Sequence, residues 1–244
     1  EGRWIGNVLS SYGILYNKDS IKRLGLERPP VAWRDLTNPK LIGEVALCDP
    51  TKSGSIAKAF ENLIQQQMQI RLRALTRANE GFASKEIESL AVREGWDEGM
   101  RILRLLGANA RYFTDSSQKP PIDVSQGNSA AGVCIDFYGR YQAEAVRRRD
   151  DSGRLVYVTP RGGTVSSVDP IGMLRGAANR EVAEMFIEYT LSMGGQKLWN
   201  FQVGTPDGPV RFALRRLPVR REFYAHQDWR QYRSDPEEEP YSGD

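Results

Sequence analysis

From Arg180 onward the apolar residues Val182, Phe186, Tyr189 and Met193 recur at steps of three and four, which places them on one stripe of a helix, a stripe expected to be buried. Asn179 is placed to cap its start, and Gly194 and Gly195 to end it in left-handed geometry. Leu155–Val158 is a β-branched and aromatic run between Gly153 and Pro160, the pattern of a strand. Upstream, residues 14–16, 43–47, 111–113 and 132–135 read as further strands, and 18–24 as a short helix stopped at Gly25. A helix starting near Ser53 carries Phe60, Leu63, Ile64 and Met68 on one face, and Trp96, Met100, Leu103 and Leu106 form a second stripe that stops at Gly107. A further helix is expected over 137–149, and the charged, less regular stretch 71–92 reads as a helical surface insertion. Strands alternating with helices define an α/β protein.

Composition narrows the functional classes. A chain of 244 residues can support two lobes, each with its own core. With 34 basic and 31 acidic side chains the net charge is +3, too balanced for nucleic-acid binding by bulk electrostatics, so any anion preference must be local. No apolar run approaches the roughly 18 residues that cross a bilayer. The opening EGRWIGNVLSSYG lacks a basic start, an apolar core and a cleavage site, and the chain is expected to be a piece of a longer protein. Cys48 and Cys134 are too few for a disulfide scaffold and read as buried thiols, although neighbouring strands would bring them close. The acidic end, 231–244, has little to bury and is expected to be disordered. The basic stretch RFALRRLPVRR, 211–221, reads as solvated surface, and Pro218 argues against one continuous helix there.

Four constellations carry candidate chemistry. Asp49-Pro50-Thr51-Lys52-Ser53-Gly54-Ser55 follows a strand and opens a helix, where unpaired N–H groups and hydroxyls favour an anion; Ser53 or Ser55 serves equally well as a plain N-cap. Thr114-Asp115-Ser116-Ser117 is a polar loop after a strand, a place where open α/β sheets hold ligands, and also an ordinary turn. Asp136-Phe137-Tyr138 lies at another strand-to-helix junction, with Tyr138 either lining a site or packed under the helix. In residues 161–169 the small residues permit close backbone approach and Thr164 offers a hydroxyl; a hinge role is an equal alternative. Enzymatic chemistry has little to draw on: the only histidine, His226, lies near the acidic end, and no Gly-x-x-x-x-Gly-Lys loop or Gly-x-Gly-x-x-Gly turn is present.

Three elements carry a resemblance: the Pro160-x-Gly162-Gly163 step, an apolar return strand over 171–176, and a helix closing with Leu-Ser-x-Gly-Gly-Gln at 191–196. Together with GILYN at 13–17 they resemble the bacterial extracytoplasmic solute-binding proteins of ABC transporters, in their ferric-binding-protein-like branch. The resemblance implies a two-lobed, type II periplasmic-binding-protein-like fold with the first lobe incomplete in this chain. It would be laid out as a crossover and hinge segment (1–36), a second lobe (37–160), a return hinge strand (161–176), part of the first lobe (177–230) and the acidic tail. It further implies a monomeric receptor, not an enzyme, outside the cytoplasm, capturing a small anionic or metal-plus-anion ligand in an interlobe cleft and delivering it to a permease. An acidic permease loop or lipid headgroups are then alternative partners for 211–221. The implied ligand contacts are Ser53, Gly54, Ser55, Ser116, Asp136, Tyr138 and Thr164. Where ferric-binding relatives have Asn followed by paired tyrosines, this chain has Asp136-Phe137-Tyr138, so a single metal-binding Tyr matches, and one phenolate with one carboxylate is a thin set for bound ferric iron. An enzyme or a ligand-sensing regulator on the same bilobal fold is the alternative.

Overall fold

The computed structural model describes residues 4–79 and 84–241, and the chain divides into two compact units, residues 12–165 and residues 1–11 with 166–244. Strand β1 (Ile5–Ser10) belongs to the smaller unit. The larger follows with β2 (Tyr12–Asn17), β3 (Val45–Cys48), β4 (Ala110–Thr114), β5 (Ala131–Ile135) and β6 (Leu155–Val158), ordered β4-β3-β5-β2-β6. β3 runs parallel to both β4 and β5, whereas β2 is antiparallel to β5 and β6. Parallel neighbours need long crossovers. These are supplied by the helices α2 (Gly54–Ala78) and α3 (Lys85–Asn109) between β3 and β4, and by α4 (Lys119–Gln126) between β4 and β5. The short α1 (Lys18–Arg23) leaves β2 with Asn17 accepting from the Asp19 and Ser20 N–H groups, and α5 (Asp136–Asp150) follows β5.

Side chains alternate across the sheet as a two-residue period requires. Ile14 and Tyr16 enter a core with Trp33, Leu36, Leu47, Ile56, Leu63, Ile102 and Leu106, while Leu15 faces Val124, Cys134, Val146 and Leu155 on the other side. Tyr12, Ile14, Tyr16, Ile21, Trp33 and Leu36, from a stretch expected to be a connecting segment, thus belong to the larger unit's core. Cys48 and Cys134 are buried and free.

Two expectations for the larger unit are corrected. The stretch 71–92 is no separate insertion: α2 and α3 each run 25 residues and pack along one another, while residues 80–83 lie outside the described residues. The buried face of α3 is Ala91, Gly95, Gly99, Ile102 and Leu106, leaving Trp96 and Met100 exposed or nearly so. Glycines decide this, because a Cβ on Gly95 would lie 2.3 Å from the Met68 backbone and one on Gly99 2.9 Å from that of Ile64. Gly95→Ala is accordingly expected to force the helices apart at a cost of about 1–3 kcal/mol, read from urea unfolding. Pro120 and Pro121 lie in the first turn of α4, where proline fits.

In the smaller unit β1 pairs antiparallel with β7 (Ser167–Ile171) and with the two-residue β8 (Leu217–Pro218). The return strand thus lies over 167–171 and not over 171–176. Helix α6 (Arg180–Leu191) does not run to Gly194. It breaks at Ser192, whose hydroxyl accepts from the Gly195 N–H and starts α7 (Met193–Asn200). Asn179 gives α6 no side-chain cap. Val182, Phe186 and Tyr189, expected to be buried, are exposed. The Leu-Ser-x-Gly-Gly-Gln motif has a structural reason, for Gln196 is fully buried, its Nε2 donating to the Asn7 and Thr190 carbonyls at 3.0 and 2.8 Å while its Oε1 accepts from the Val219 N–H at 2.7 Å. α8 (Arg221–Ala225) adds Phe223 and Tyr224 to a core with Phe201.

The basic stretch and the acidic end meet at Arg215 and Arg221, and both make further contacts within the smaller unit. Arg215 pairs with the buried Asp235 at 2.5 Å, Arg216 pairs with Asp169, and the Arg221 guanidinium lies 4.8 Å from the centre of the Tyr241 ring. The buried Arg233 pairs with Glu239 at 3.0 Å. Disorder is thus corrected for 231–241, because Asp235 and Glu239 have guanidinium partners in Arg215 and Arg233; 242–244 lie outside the described residues.

Candidate functional site

Parallel strands deliver their following loops to one edge of a sheet. In the larger unit β3, β4 and β5 carry residues 49–55, 114–118 and 136–138 to the same edge, and β2, antiparallel to β5 with Tyr12 opposite Ile135, starts there. The Asp49 N–H donates to the Thr114 carbonyl at 2.7 Å, joining the first two loops. Thr164 arrives at the same edge, its hydroxyl accepting from the Tyr12 N–H at 2.9 Å.

The loop after β3 is shaped by its own side chains. Asp49 accepts at 2.8 Å from both the N–H and the hydroxyl of Thr51, which holds its carboxyl below the usual range, and its carbonyl accepts from the Lys52 and Ser53 N–H groups. Ser53 is buried and caps α2, its Oγ accepting from the Ile56 N–H at 3.4 Å. The N–H groups of Gly54 and Ser55 belong to the first turn and have no acceptor within the helix. Gly54 is exposed and Ser55 partly so, with the whole dipole of a 25-residue helix behind them. Lys52 and Lys58 are exposed near this start, Lys58 pairing with Glu61 at 2.7 Å.

The third loop departs from expectation at Asp136. It is fully buried, accepts from the Phe137 N–H at 2.8 Å and lies 3.9 Å from the buried Arg140 guanidinium, one turn further along α5. Its carboxylate is buried and presents no charge to solvent. Tyr138 is partly exposed, its ring centroid 4.3 Å from that of Phe137, and its hydroxyl accepts from Gln118 Nε2 at 3.0 Å. Ser116 is exposed, its N–H turned back to Thr114 Oγ1 at 3.3 Å.

The sequence left two kinds of site residue unseen. Tyr12 and Gln118 reach the edge through strand register and a cross-loop hydrogen bond. Trp33 and Gln66 anchor the Gly-rich segment: Trp33 Nε1–H donates to the Gly163 carbonyl at 2.7 Å, and Gln66 Nε2 to that of Arg161 at 2.9 Å. A Cβ on Gly163 would lie 2.7 Å from Trp33 Nε1, so the segment's glycine is set by this contact. Among the described residues no group of three or more His, Cys, Asp or Glu side chains is arranged to hold a metal ion. Asp136 is buried beside Arg140, so of Asp136 and Tyr138 only Tyr138 is accessible at this edge.

A parallel-centred sheet with polar loops and a helix N-terminus gathered at one edge is the architecture of a protein that holds a small ligand. The fold is that of type II periplasmic binding proteins: the periplasmic binding protein AfuA of Actinobacillus pleuropneumoniae, solved with fructose-6-phosphate bound, superposes with a TM-score of 0.56 at 24% identity, covering 80% of this chain and 50% of that one. Residues 1–216 match the family model of bacterial extracellular solute-binding proteins, and the chain belongs to that family. An uncharacterized protein of Haemophilus influenzae is 25% identical over 199 residues, 81% of this chain and 48% of that one. The phosphoglycerate transport regulatory protein PgtC of Salmonella typhimurium is 22% identical over 193 residues, 78% and 39% of the two chains. The chain thus spans about half the length, or less, of the relatives it matches. Among the described residues no helix is long and apolar enough to cross a membrane.

Proposed function

We propose that this chain is the ligand-holding part of a periplasmic solute receptor serving an ABC importer, and that its solute is a small phosphorylated organic anion. The observation that carries the reading is the start of α2, where the Gly54 and Ser55 N–H groups lack helical acceptors at the edge shared with Ser116, Tyr138 and Thr164. A phosphate there accepts from the two N–H groups and the Ser55 hydroxyl, with Lys52 nearby. Gln118, Tyr138 and Thr164 face the remainder of the solute with donors and acceptors suited to hydroxyl or carboxylate groups. The names of two relatives, one bound to fructose-6-phosphate and one associated with phosphoglycerate transport, support this ligand class. Recognition proceeds without chemistry: the solute is held, released to the permease and left unchanged.

A thermal-shift screen of sugar phosphates, phosphoglycerates, inorganic phosphate, ferric citrate and polyamines tests the reading, because a solute that binds the folded state raises the melting temperature. Phosphorylated compounds are expected to stabilise the parent. Ser53→Asp places a carboxylate beside the phosphate and is expected to weaken binding by about one to two decades, corresponding to roughly 1.5–3 kcal/mol. Ser53→Ala costs helix stability of about 0.5–2 kcal/mol through the lost cap, so melting of both ligand-free variants separates the cap from the ligand effect. Undiminished binding by a folded Ser53→Asp protein, or a response to polyamines alone, contradicts an anion at this helix start.

A further inference from the structure

Gln118 and Tyr138 are joined across strands that are not neighbours. Gln118 follows β4 and Tyr138 follows β5, and β3 runs between those two strands. Adjacent strands lie about 4.8 Å apart, so the strand ends that this hydrogen bond links are separated by roughly 10 Å. The bond itself, from Gln118 Nε2 to the Tyr138 hydroxyl, is 3.0 Å long. The loop that leads to Gly54 and Ser55 leaves the sheet between the bridged strands. The sequence frees Gln118 for this task. It is the N-cap of α4, and a capping side chain accepts from the second or third helical N–H. Those positions are Pro120 and Pro121, which have no N–H, and Gln118 makes no capping hydrogen bond. The Tyr138 ring is steadied by Phe137, and both members of the pair remain open to a ligand, Gln118 exposed and Tyr138 partly so.

We infer that the Gln118–Tyr138 pair is the specificity element of this edge, and that it selects a phosphorylated polyol or sugar by holding one of its hydroxyl groups. The inference rests on the reading of the α2 start as the phosphate seat. Because the Tyr138 hydroxyl accepts from Gln118, its own proton is left to donate, and Gln118 Oε1 is left to accept. Turning the amide over exchanges the two roles and still leaves one donor beside one acceptor. A hydroxyl group donates and accepts at once, so it satisfies both partners and extends the chain of hydrogen bonds in one sense. A carboxylate brings acceptors only and leaves the free acceptor of the pair without a proton; an alkyl chain satisfies neither side. A site built to hydrogen-bond a hydroxyl rejects the analogue that lacks it far more strongly than apolar contact can. Gln118 is therefore both a contact and the positioning residue that fixes which way Tyr138 presents its proton.

Calorimetric titration compares fructose-6-phosphate with phosphoglycolate, which carries a carboxylate and no hydroxyl, with butyl phosphate and with inorganic phosphate. The proteins are the parent chain, Gln118→Met, Tyr138→Phe and the double variant. The parent is expected to bind fructose-6-phosphate at least tenfold more tightly than phosphoglycolate or butyl phosphate. Each single variant is expected to lose at least fivefold in affinity for fructose-6-phosphate and no more than twofold for inorganic phosphate, with ligand-free melting within about 2 °C of the parent. The double variant is expected to bind within twofold of the weaker single variant, because either change breaks the same donor–acceptor pair. A disturbed loop would weaken all four compounds together and would not show this split. Parent affinity for phosphoglycolate equal to that for fructose-6-phosphate, losses shared by inorganic phosphate, or additive losses in the double variant overturn the inference and leave the phosphate seat standing. Absence of binding by every phosphorylated compound and by inorganic phosphate overturns both.

Discussion

Trp33→Ala is expected to destabilise the larger unit by about 3–5 kcal/mol and to loosen the Gly-rich segment at the ligand edge. Trp33 is almost wholly buried among Leu36, Leu63 and Ile102, so truncation leaves a cavity the size of an indole in a close-packed core. Its Nε1–H is also the donor that holds the Gly163 carbonyl, and Gly163 immediately precedes Thr164, the residue that meets Tyr12. Trp33→Phe separates the two roles. Most of the volume remains, the hydrogen bond is lost, and the expected cost is about 1 kcal/mol. Urea unfolding measures the stability terms, while calorimetric titration of the best solute from the thermal screen reads the segment. If Trp33→Phe binds as tightly as the parent, the anchoring of 161–165 has no part in recognition.

Asp136→Ala is the second large effect, expected to cost about 3–5 kcal/mol because it removes a fully buried carboxylate that lies 3.9 Å from the buried Arg140 guanidinium. The same change removes the acceptor for the Phe137 N–H at the start of α5. Asp136→Asn keeps that acceptor and is expected to cost less. A residue that contacts solute directly shows the opposite signature, with ligand affinity lost and ligand-free melting unchanged. Melting of the ligand-free variants therefore distinguishes the buried carboxylate seen here from the ligand contact that the family resemblance implies.

The contrast at Asp136 indicates which parts of the molecule were legible beforehand. Strands β2 to β6 were readable because short β-branched runs between Gly and Pro leave few other conformations, and the edge loops followed because parallel strands deposit their successors on one side. That Asp136 is buried required knowing that Arg140, four residues on, is buried with it; the i,i+4 spacing was visible, but the depth of the helix was not. Tyr12 entered the site through register with Ile135, a pairing between residues far apart along the chain. On α3 the bulky Trp96 drew the buried stripe toward itself, whereas contact is made by Gly95 and Gly99, whose value lies in the absence of a side chain. The stripe on α6 was correct as a periodicity, and periodicity carries no information about what covers it.

The central claim is that the first turn of α2 holds the anionic group of the solute, and backbone amide chemical shifts test it at the atoms concerned. Isotope-labelled protein titrated with fructose-6-phosphate, 3-phosphoglycerate and the unphosphorylated parent compounds gives the comparison. The account predicts that the phosphorylated compounds move the Gly54 and Ser55 amide resonances downfield in a saturable manner, and that the unphosphorylated ones leave both unchanged. Saturable binding that shifts resonances elsewhere while Gly54 and Ser55 stay in place contradicts it.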